Sequence, residues 1–281
     1  MTVLNFTDLI LRLRFSGDVS RNEILEVSNQ LSKSEPAQRN TILYILSLYS
    51  HYSDMGTVIS FYGDLLLRAK LGLAISEEEV STVRHDLQEE LISSSNFSQS
   101  AKAHVSPAID YDKLDTLISV LGWHNDTSSA PLVAQFLDVR WGGRLMSSAL
   151  IALCRRWGMV NKYRNRLLDL LLNTNPAYEE EARVTAIEVS GEYLVDSLDA
   201  QLLRQLIHIF ESKTESPFIR LRAYGALSEA MGYGWADLSW SHNLPLKHSD
   251  IMKAVNLSVV REAKRRLSID ESKAASGDFR H

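Results

Sequence analysis

Two stretches of the sequence carry the same pattern and decide the fold. They read RVTAIEVSG at residues 183–191 and RLRAYGALS at residues 220–228, and their first residues lie 37 positions apart. Each begins with an arginine and then places small or apolar residues three, four, six and seven positions later. That spacing is typical of one face of an α-helix. A pattern that returns at a fixed period of about 20–50 residues indicates repeated structural units.

Each stretch follows another helix and a turn. Apolar helices are predicted around residues 167–172 and 202–210, and the polar segments behind them contain Pro176 and Pro217. A third, looser copy begins at Arg144, which lies 39 positions before the first clear copy. In this third copy the small positions hold two serines. Each copy is therefore predicted to be a helical hairpin.

These hairpins resemble the HEAT-repeat family, in which a helix A, a short polar turn and a helix B with a Val-Arg-like start follow one another. Both spacings are close to the ~40–47 residues of HEAT and armadillo units. The resemblance is good over residues 131–231. It is only suggestive over residues 36–92, where Arg39 and Arg84 are candidate starts of further B helices.

The resemblance implies an all-α fold, an α-solenoid of stacked antiparallel helix pairs that is capped at the C-terminus. Small residues such as Ala186 and Ala223 would let paired helices approach closely, and each pair is too thin to bury its own apolar face. The expected cap contains Tyr233, Trp235, Trp240 and a helix over residues 249–267. The resemblance also implies that Arg144, Arg183 and Arg220 are structural residues that pair with acids of neighbouring turns.

Composition agrees with a helical protein and excludes several classes. The chain has 281 residues with 13 glycines and 6 prolines, fewer turn-formers than sandwiches or barrels need. The net charge of −5 argues against a dedicated nucleic-acid binder. A single cysteine, Cys154, cannot form an internal disulfide, and no window approaches the ~18 apolar residues of a membrane span. We therefore expect a cytoplasmic protein with no membrane partner.

Helix starts and a change in composition suggest how the chain is divided. Ser20–Glu23 and Ser76–Glu79 match the capping box, in which a serine and a glutamate three residues later bond each other's backbone amides. Serine is enriched around residues 93–108, which are predicted to be a loop or linker. The predicted divisions are an N-terminal helical region that could contain degenerate HEAT-like pairs, this linker, a HEAT-like repeat region with a capping helix, and a flexible tail. They span residues 1–92, 93–108, 109–267 and 268–281.

The outer face of the B helices is the predicted binding surface. Positions one, two, five and nine after each repeat arginine should point away from helix A. They are Val184, Thr185, Glu188 and Glu192 in the first clear copy and Leu221, Arg222, Gly225 and Glu229 in the second. The predicted partner-binding residues are Glu188, Glu192, Arg222 and Glu229, with Arg155 and Arg156 in reserve because arginine is frequent at interface hot spots.

The absence of a catalytic pattern favours a binding protein. The sequence has no HExxH, P-loop, GxGxxG, GxSxG or paired-cysteine motif, so we expect no catalytic residues, metal or cofactor. The leading hypothesis is a non-enzymatic protein-binding solenoid of the adaptor or inhibitor type. One subtype is a bacterial immunity protein, since an acidic inhibitor suits a basic toxin such as a nuclease.

Two enzymatic alternatives stay open. Some HEAT-like solenoids are DNA glycosylases that remove alkylated bases. The cluster Arg155, Arg156 and Trp157 permits this function, or that of a DNA-binding protein without catalysis, whereas the pI of about 5.9 opposes both. A more remote alternative is a metal-dependent phosphohydrolase of the HD type. Its candidate ligands would be His51, His85, Asp86 and either Asp110 or Asp112. Cys154 lies in an apolar run and is expected to be a buried, inert thiol.

Overall fold

All secondary structure in the described part of the chain is helical. The computed structural model contains α-helices, short 3-10 helices and one π-helical segment, and no strand occurs among the residues that it describes. The predicted all-α class is therefore confirmed. The chain divides between Ser129 and Ala130 into two compact units. The described residues are 5–15, 19–55, 60–99, 110–172, 180–234 and 255–276.

The first unit is built around α3 and α6. Helices α1 and α2 pack against α3, whereas α4 and α5 pack against α6. Apolar side chains from α1, α2 and α3, among them Leu9, Val27 and Ile45, form a buried core between those three helices. The helices of this unit are α1 (Phe6–Phe15), α2 (Arg21–Gln30), α3 (Pro36–Met55), α4 (Phe61–Lys70), α5 (Glu77–Gln99) and α6 (Tyr111–His124), with 3-10 turns at Leu31–Lys33 and Thr127–Ser129.

Both predicted capping boxes are confirmed. The backbone amide of Glu23 donates to Ser20 Oγ at 3.3 Å, and the Ser20 amide donates back to the Glu23 carboxylate at 2.9 Å. The same reciprocal bonds join Ser76 and Glu79 at 3.2 and 2.8 Å. Each box satisfies two amides that a helix start leaves without an intrahelical partner, which fixes where α2 and α5 begin.

The second unit arranges its helices in two rows. In one row α8 packs against α10 and α10 against α12; in the other α9 packs against α11 and α11 against α13. The rows meet through α9 with α10 and α11 with α12, so consecutive helices form hairpins. The elements are α7 (Ala130–Val133), α8 (Gly142–Leu150), a π-helical segment (Ile151–Arg156), α9 (Val160–Leu172), α10 (Glu180–Asp196), α11 (Ala200–Glu211), α12 (Pro217–Ala230) and α13 (Leu257–Ser276), with 3-10 turns at Ala134–Leu137 and Val139–Trp141.

Small residues bring the helices of the first row close together. A Cβ atom added to Gly191 of α10 would lie 2.6 Å from the Cβ of Ala226 and 2.8 Å from its carbonyl oxygen on α12. Between α8 and α10, the buried hydroxyls of Ser147 and Thr185 share a short hydrogen bond. The small residues of the repeat pattern therefore serve the contact between neighbouring hairpins.

The two clear repeat arginines occupy equivalent places. Arg183 is buried and donates to the carbonyl of Leu171, near the end of α9, at 3.3 Å. Arg220 is also buried and donates to the carbonyl of Phe210, near the end of α11, at 2.8 Å. Each thus bonds one of the carbonyls that the end of the preceding helix leaves without an intrahelical partner.

Arg183 also has the acidic partner that the resemblance implies. Arg183 Nη1 donates to Glu215, in the turn between α11 and α12, at 2.7 Å. The looser third copy differs, because Arg144 is exposed. The carbonyl of Leu137, which ends the helical segment before that copy, accepts a hydrogen bond from Arg166 of α9.

The division of the chain differs from the predicted one. Helix α5 continues through Gln99, into the predicted linker at 93–108, and α6 packs against α4 and α5 inside the first unit. Helix α13 continues through Ser276, beyond the predicted start of the tail at residue 268. Serine could be read as a loop former in both places, yet within a helix its hydroxyl can bond the carbonyl four residues earlier. Ser94 and Ser268 do this at 2.7 and 2.9 Å.

The predicted C-terminal cap is described in part. Helix α13 packs against α11 and α12 through the buried residues Val259, Val260 and Ala263. Tyr233 is exposed. Trp235 and Trp240 lie outside the described residues, as do residues 100–109 and 277–281. Within the described part, no helix combines the length and the hydrophobicity that crossing a membrane requires.

Candidate functional site

Four of the predicted partner-binding residues line one open depression on the second unit. Glu188 and Glu192 come from α10, and Arg222 and Glu229 come from α12. We call this site the charged depression; its volume is about 350 Å³. The residues meet because α10 and α12 lie side by side at the distance that Gly191 and Ala226 permit. The repeat pattern thus places side chains of two hairpins on one surface.

Arg155 joins the charged depression from the neighbouring element. It lies in the π-helical segment that follows α8. Its Nε and Nη2 atoms donate to the two oxygens of Glu192 at 2.7 and 2.6 Å, and Nη2 also lies 3.4 Å from Glu188. Such a two-pronged pair is stronger and more directional than a single contact. Arg222 completes the network from α12, with Nη1 at 3.3 Å from the other oxygen of Glu188.

The network is half-buried, which gives its ion pairs more weight than exposed pairs have. The side chains of Arg155 and Arg222 are 27% and 26% exposed, and those of Glu188 and Glu192 are 23% and 34% exposed. Burial opposes the charged form of Arg155, yet the hydrogen bond and charge of Glu192 outweigh it and raise the arginine's pKa. Arg222 is further held by stacking over the ring of Phe218, 5.0 Å from its centroid.

Glu229 differs from the other two carboxylates. Its side chain forms no hydrogen bond or ion pair with any residue in the described part of the chain. Burial raises its pKa above the ordinary value, the negative charges of Glu192 and Glu188 add to the effect, and Arg155 opposes it. The site thus holds one carboxylate that feels the charge of Arg155 but forms no ion pair with a described residue.

Arg156 follows Arg155 but is placed differently. It is exposed, and it is not among the residues that line the charged depression. Burial and the charge of Arg155 lower its pKa. The charge of Glu192 acts in the opposite direction, so Arg156 lies within electrostatic reach of the network but is more exposed than Arg155.

The prediction of which positions point outward was partly wrong. Thr185, Leu221 and Gly225 are buried, although the helical periodicity placed them on the outer face. The reason is that α10 and α12 are covered by neighbours in their own row as well as by the other row. Positions on the flanks of α10 and α12 therefore contact the next hairpin, whereas Val184, Glu188, Glu192, Arg222 and Glu229 remain partly accessible.

The residues of the phosphohydrolase alternative do not form a site in the described structure. His85 is exposed on α5, and Asp86 accepts a short hydrogen bond from the hydroxyl of Tyr62. Burial and this contact raise the pKa of Tyr62 to about 12. Asp110 caps α6 by accepting from the Lys113 amide at 2.9 Å. Within the described ranges, no group of three or more His, Cys, Asp or Glu side chains could hold a metal ion.

The aromatic and thiol candidates of the second unit belong to its core. Trp141 and Trp157 are buried, and Trp141 packs against Phe136 with ring centroids 4.8 Å apart. Cys154 is buried as predicted, and burial raises the pKa of its thiol to about 12, which suppresses the reactive thiolate.

Sequence reasoning missed a buried network in the first unit. Asp64 of α4 is 1% exposed and accepts bonds from Arg14 at 2.8 Å, from Arg68 at 3.1 Å and from the hydroxyl of Tyr44. Arg68 also pairs with Glu79, the capping residue of α5. The spacing of Asp64 and Arg68, four positions on one helix, was a visible signal of one contact. The contributions of α1 and α3 have no such local signal.

Comparisons of the chain with protein-family models, with curated proteins and with solved structures find no match. What the chain does must therefore be inferred from its own packing, contacts and charges.

Proposed function

We propose that this chain is a non-enzymatic, protein-binding α-solenoid of the HEAT-like type, acting in the cytoplasm as an adaptor or inhibitor. The carrying observation is the charged depression, where a half-buried network of arginines and glutamates joins three successive elements of one row. Within this class, the subtype we favour is a toxin-neutralising immunity protein.

Packing in the second unit supports the solenoid part of the proposal. Its hairpins contact one another through two rows of helices, and the buried Arg183 and Arg220 bond the end of the preceding helix in the same way. In a solenoid each repeat relies on its neighbours to bury its apolar surface, and the stack presents an extended binding face.

Charge and preorganisation support the binding part. Arginine is enriched at interface hot spots, and side chains that are already held in place lose less entropy when a partner binds. Arg155 and Arg222 are held by Glu188 and Glu192 before any partner arrives. The charged depression, counted with Arg155, carries three carboxylates against two guanidinium groups, so a partner with a positive surface is favoured electrostatically.

The test begins with capture of a partner from cells of the source organism. The immobilised chain serves as bait, the retained protein is identified by mass spectrometry, and the two purified proteins are then titrated by calorimetry. We expect a basic protein to bind the wild type. The double variant E188Q/E192Q should weaken binding tenfold or more, because it removes two of the carboxylates that organise the depression.

A matched control distinguishes an effect at the charged depression from an effect of the chain's net charge. The variant E78Q/E89Q removes the same two charges from exposed positions of α5 in the first unit and should leave the affinity unchanged. Circular dichroism would confirm that both variants remain folded. If no protein is retained and the purified chain instead releases alkylated bases from DNA, the binding proposal is wrong and the glycosylase alternative replaces it.

A further inference from the structure

The charged depression contains one more negative than positive side chain. Arg155 pairs with Glu192 and Glu188, and Arg222 pairs with Glu188. Both guanidinium groups that reach the site are thus engaged by the two carboxylates of α10. The third carboxylate, Glu229 of α12, lines the same depression and forms no ion pair with a described residue.

The surroundings of Glu229 make ionisation of its carboxyl group energetically unfavourable. It is half-buried, and the carboxylates of Glu192 and Glu188 act on it with the same sign. A charge that has lost part of its hydration is stabilised when an opposite charge and hydrogen-bond donors are supplied. Among the described residues, Arg155 acts on Glu229 with the opposite charge but does not outweigh burial and the neighbouring carboxylates, so a bound cation with hydrogen-bond donors would stabilise the ionised carboxylate.

The side chains around Glu229 favour a guanidinium group over a metal ion as the bound cation. A metal ion needs several oxygen or nitrogen ligands to converge, and no such group of acidic, histidine or cysteine side chains exists in the described part of the chain. A guanidinium group instead offers five planar donors and can bond a carboxylate in pairs, as Arg155 already does with Glu192. The depression, at about 350 Å³, is also much larger than the ~30 Å³ that one water molecule occupies.

We infer that the charged depression receives an arginine side chain of the protein partner, whose guanidinium pairs with Glu229. This inference rests on the proposed protein-binding function and names the chemistry of its contact. The partner's arginine would bring the network to three cations and three carboxylates. It would add a third guanidinium to a face on which two are already fixed.

The test uses arginine amide as the probe and citrulline amide as its isostere, which keeps the α-amino group and replaces the guanidinium by an uncharged ureido group. Each is titrated into the 15N-labelled full chain, and the backbone amide shifts of residues around Glu229 are followed by NMR. We expect saturable shifts with arginine amide, with a dissociation constant on the order of millimolar, and no saturable shifts with citrulline amide. The variant E229Q should weaken arginine amide binding about fivefold, whereas E89Q, an exposed glutamate of α5, should not change it.

Two results would overturn the inference: equal shifts with both amides, or identical titrations for E229Q and the wild type. A loss of folding does not obscure the result, because glutamine keeps the shape of Glu229 and removes only its charge. Failure of this inference is distinct from failure of the proposed function. A captured protein partner whose affinity is insensitive to E229Q would contradict the arginine contact alone, and the absence of any protein partner would contradict the function.

Discussion

The two units of the chain bury their charged side chains in different ways. In the first unit a single carboxylate, Asp64, accepts from Arg14, Arg68 and Tyr44, which lie on α1, α4 and α3. In the second unit the buried charges are Arg183 and Arg220, which recur at a fixed spacing, and each bonds the helix before it.

Because of this difference, a substitution at a buried charge should affect the stability of the two units in different ways. A central carboxylate couples several helices, so its loss should affect the first unit as a whole. A repeated anchor ties one hairpin together, so the second unit should behave more nearly as a sum of neighbouring contributions.

The largest expected effect is on the first unit. Asp64→Ala would leave a buried site with two arginines and a tyrosine that have lost their shared acceptor. We expect the free energy of unfolding of this unit to fall by about 3–5 kcal/mol, the usual range for breaking a buried ion pair. Urea unfolding followed by circular dichroism measures it.

The control for Asp64 is another aspartate that pairs with an arginine four positions away. Asp8 bonds Arg12 at 3.0 Å, but its side chain is 58% exposed. Asp8→Asn should therefore cost less than about 0.5 kcal/mol. Equal losses for the two variants would show that the Asp64 network does not couple the helices.

Removing either repeat arginine should lower the free energy of unfolding, and the two losses should depend differently on pH. Arg183→Met breaks the pair with Glu215 and should cost about 1.5–3 kcal/mol at neutral pH. The hydrogen bond from Arg183 lowers the pKa of Glu215 below its ordinary 4.5, against the effect of burial. The stabilisation is therefore present above pH 4.5 and is lost as the pH falls through the lowered pKa. The cost of Arg183→Met should shrink correspondingly in acid.

Arg220→Met provides the comparison within the same unit. The guanidinium of Arg220 donates to the carbonyl of Phe210, which does not titrate, and its pKa is lowered by burial rather than shifted by a carboxylate. We expect a cost of about 1–3 kcal/mol that stays nearly constant between neutral pH and pH 3. Urea unfolding of both variants at a series of pH values measures the difference. Parallel pH profiles would contradict the assigned role of Glu215.

The contact between α10 and α12 can be tested at Gly191. Alanine there would place its Cβ 2.6 Å from the Cβ of Ala226, so the helices must separate. We expect a loss of about 1–3 kcal/mol, although alanine favours a helix by up to about 1 kcal/mol over glycine. Thermal unfolding measures the change.

Gly158→Ala separates crowding from backbone strain. Gly158 has a φ of +64°, and nothing lies within 4 Å of a Cβ added to it. Its substitution should cost about 1–2 kcal/mol through the left-handed backbone alone. A stabilised Gly191→Ala variant would mean that the two helices do not approach as described.

The smallest expected effect concerns Glu229. Because its pKa in the folded chain is raised, the contribution of Glu229 to stability is most favourable below pH 4.5 and becomes unfavourable as the pH rises through the raised value. Glu229→Gln should therefore increase the free energy of unfolding at neutral pH, by less than about 1 kcal/mol, and have little effect near pH 4. A destabilised variant at neutral pH would show that Glu229 has a partner in the free chain.

The sequence predicted the second unit better than the first, and the reason is the repeat. Comparing two copies of one pattern located the structural arginines and brought Glu188, Glu192, Arg222 and Glu229 to one surface. Their ion pairs were not foreseen. Arg155 reaches Glu192 across 37 residues of sequence, and helical periodicity describes contacts of three or four residues only.

The remaining errors have a common origin in long-range packing. Thr185 and Leu221 were placed outward because a period of 3.6 identifies one buried face of a helix but not how many neighbours surround it. The network around Asp64 was missed because three helices contribute to it. Residues 93–99, the start of the predicted linker, belong to α5 instead, and composition does not reveal that Ser94 bonds within its own helix.

Glu79 belongs to two structures at once, since it caps the start of α5 and pairs with Arg68 of the Asp64 network. Burial disfavours its charge, yet Arg68 and the amide of Ser76 lower its pKa to about 2. The first turn of α5 therefore cannot fray without releasing a guanidinium that the buried carboxylate also uses. Amide hydrogen exchange should accordingly report a single opening event that spans the start of α5 and the interior around Tyr44.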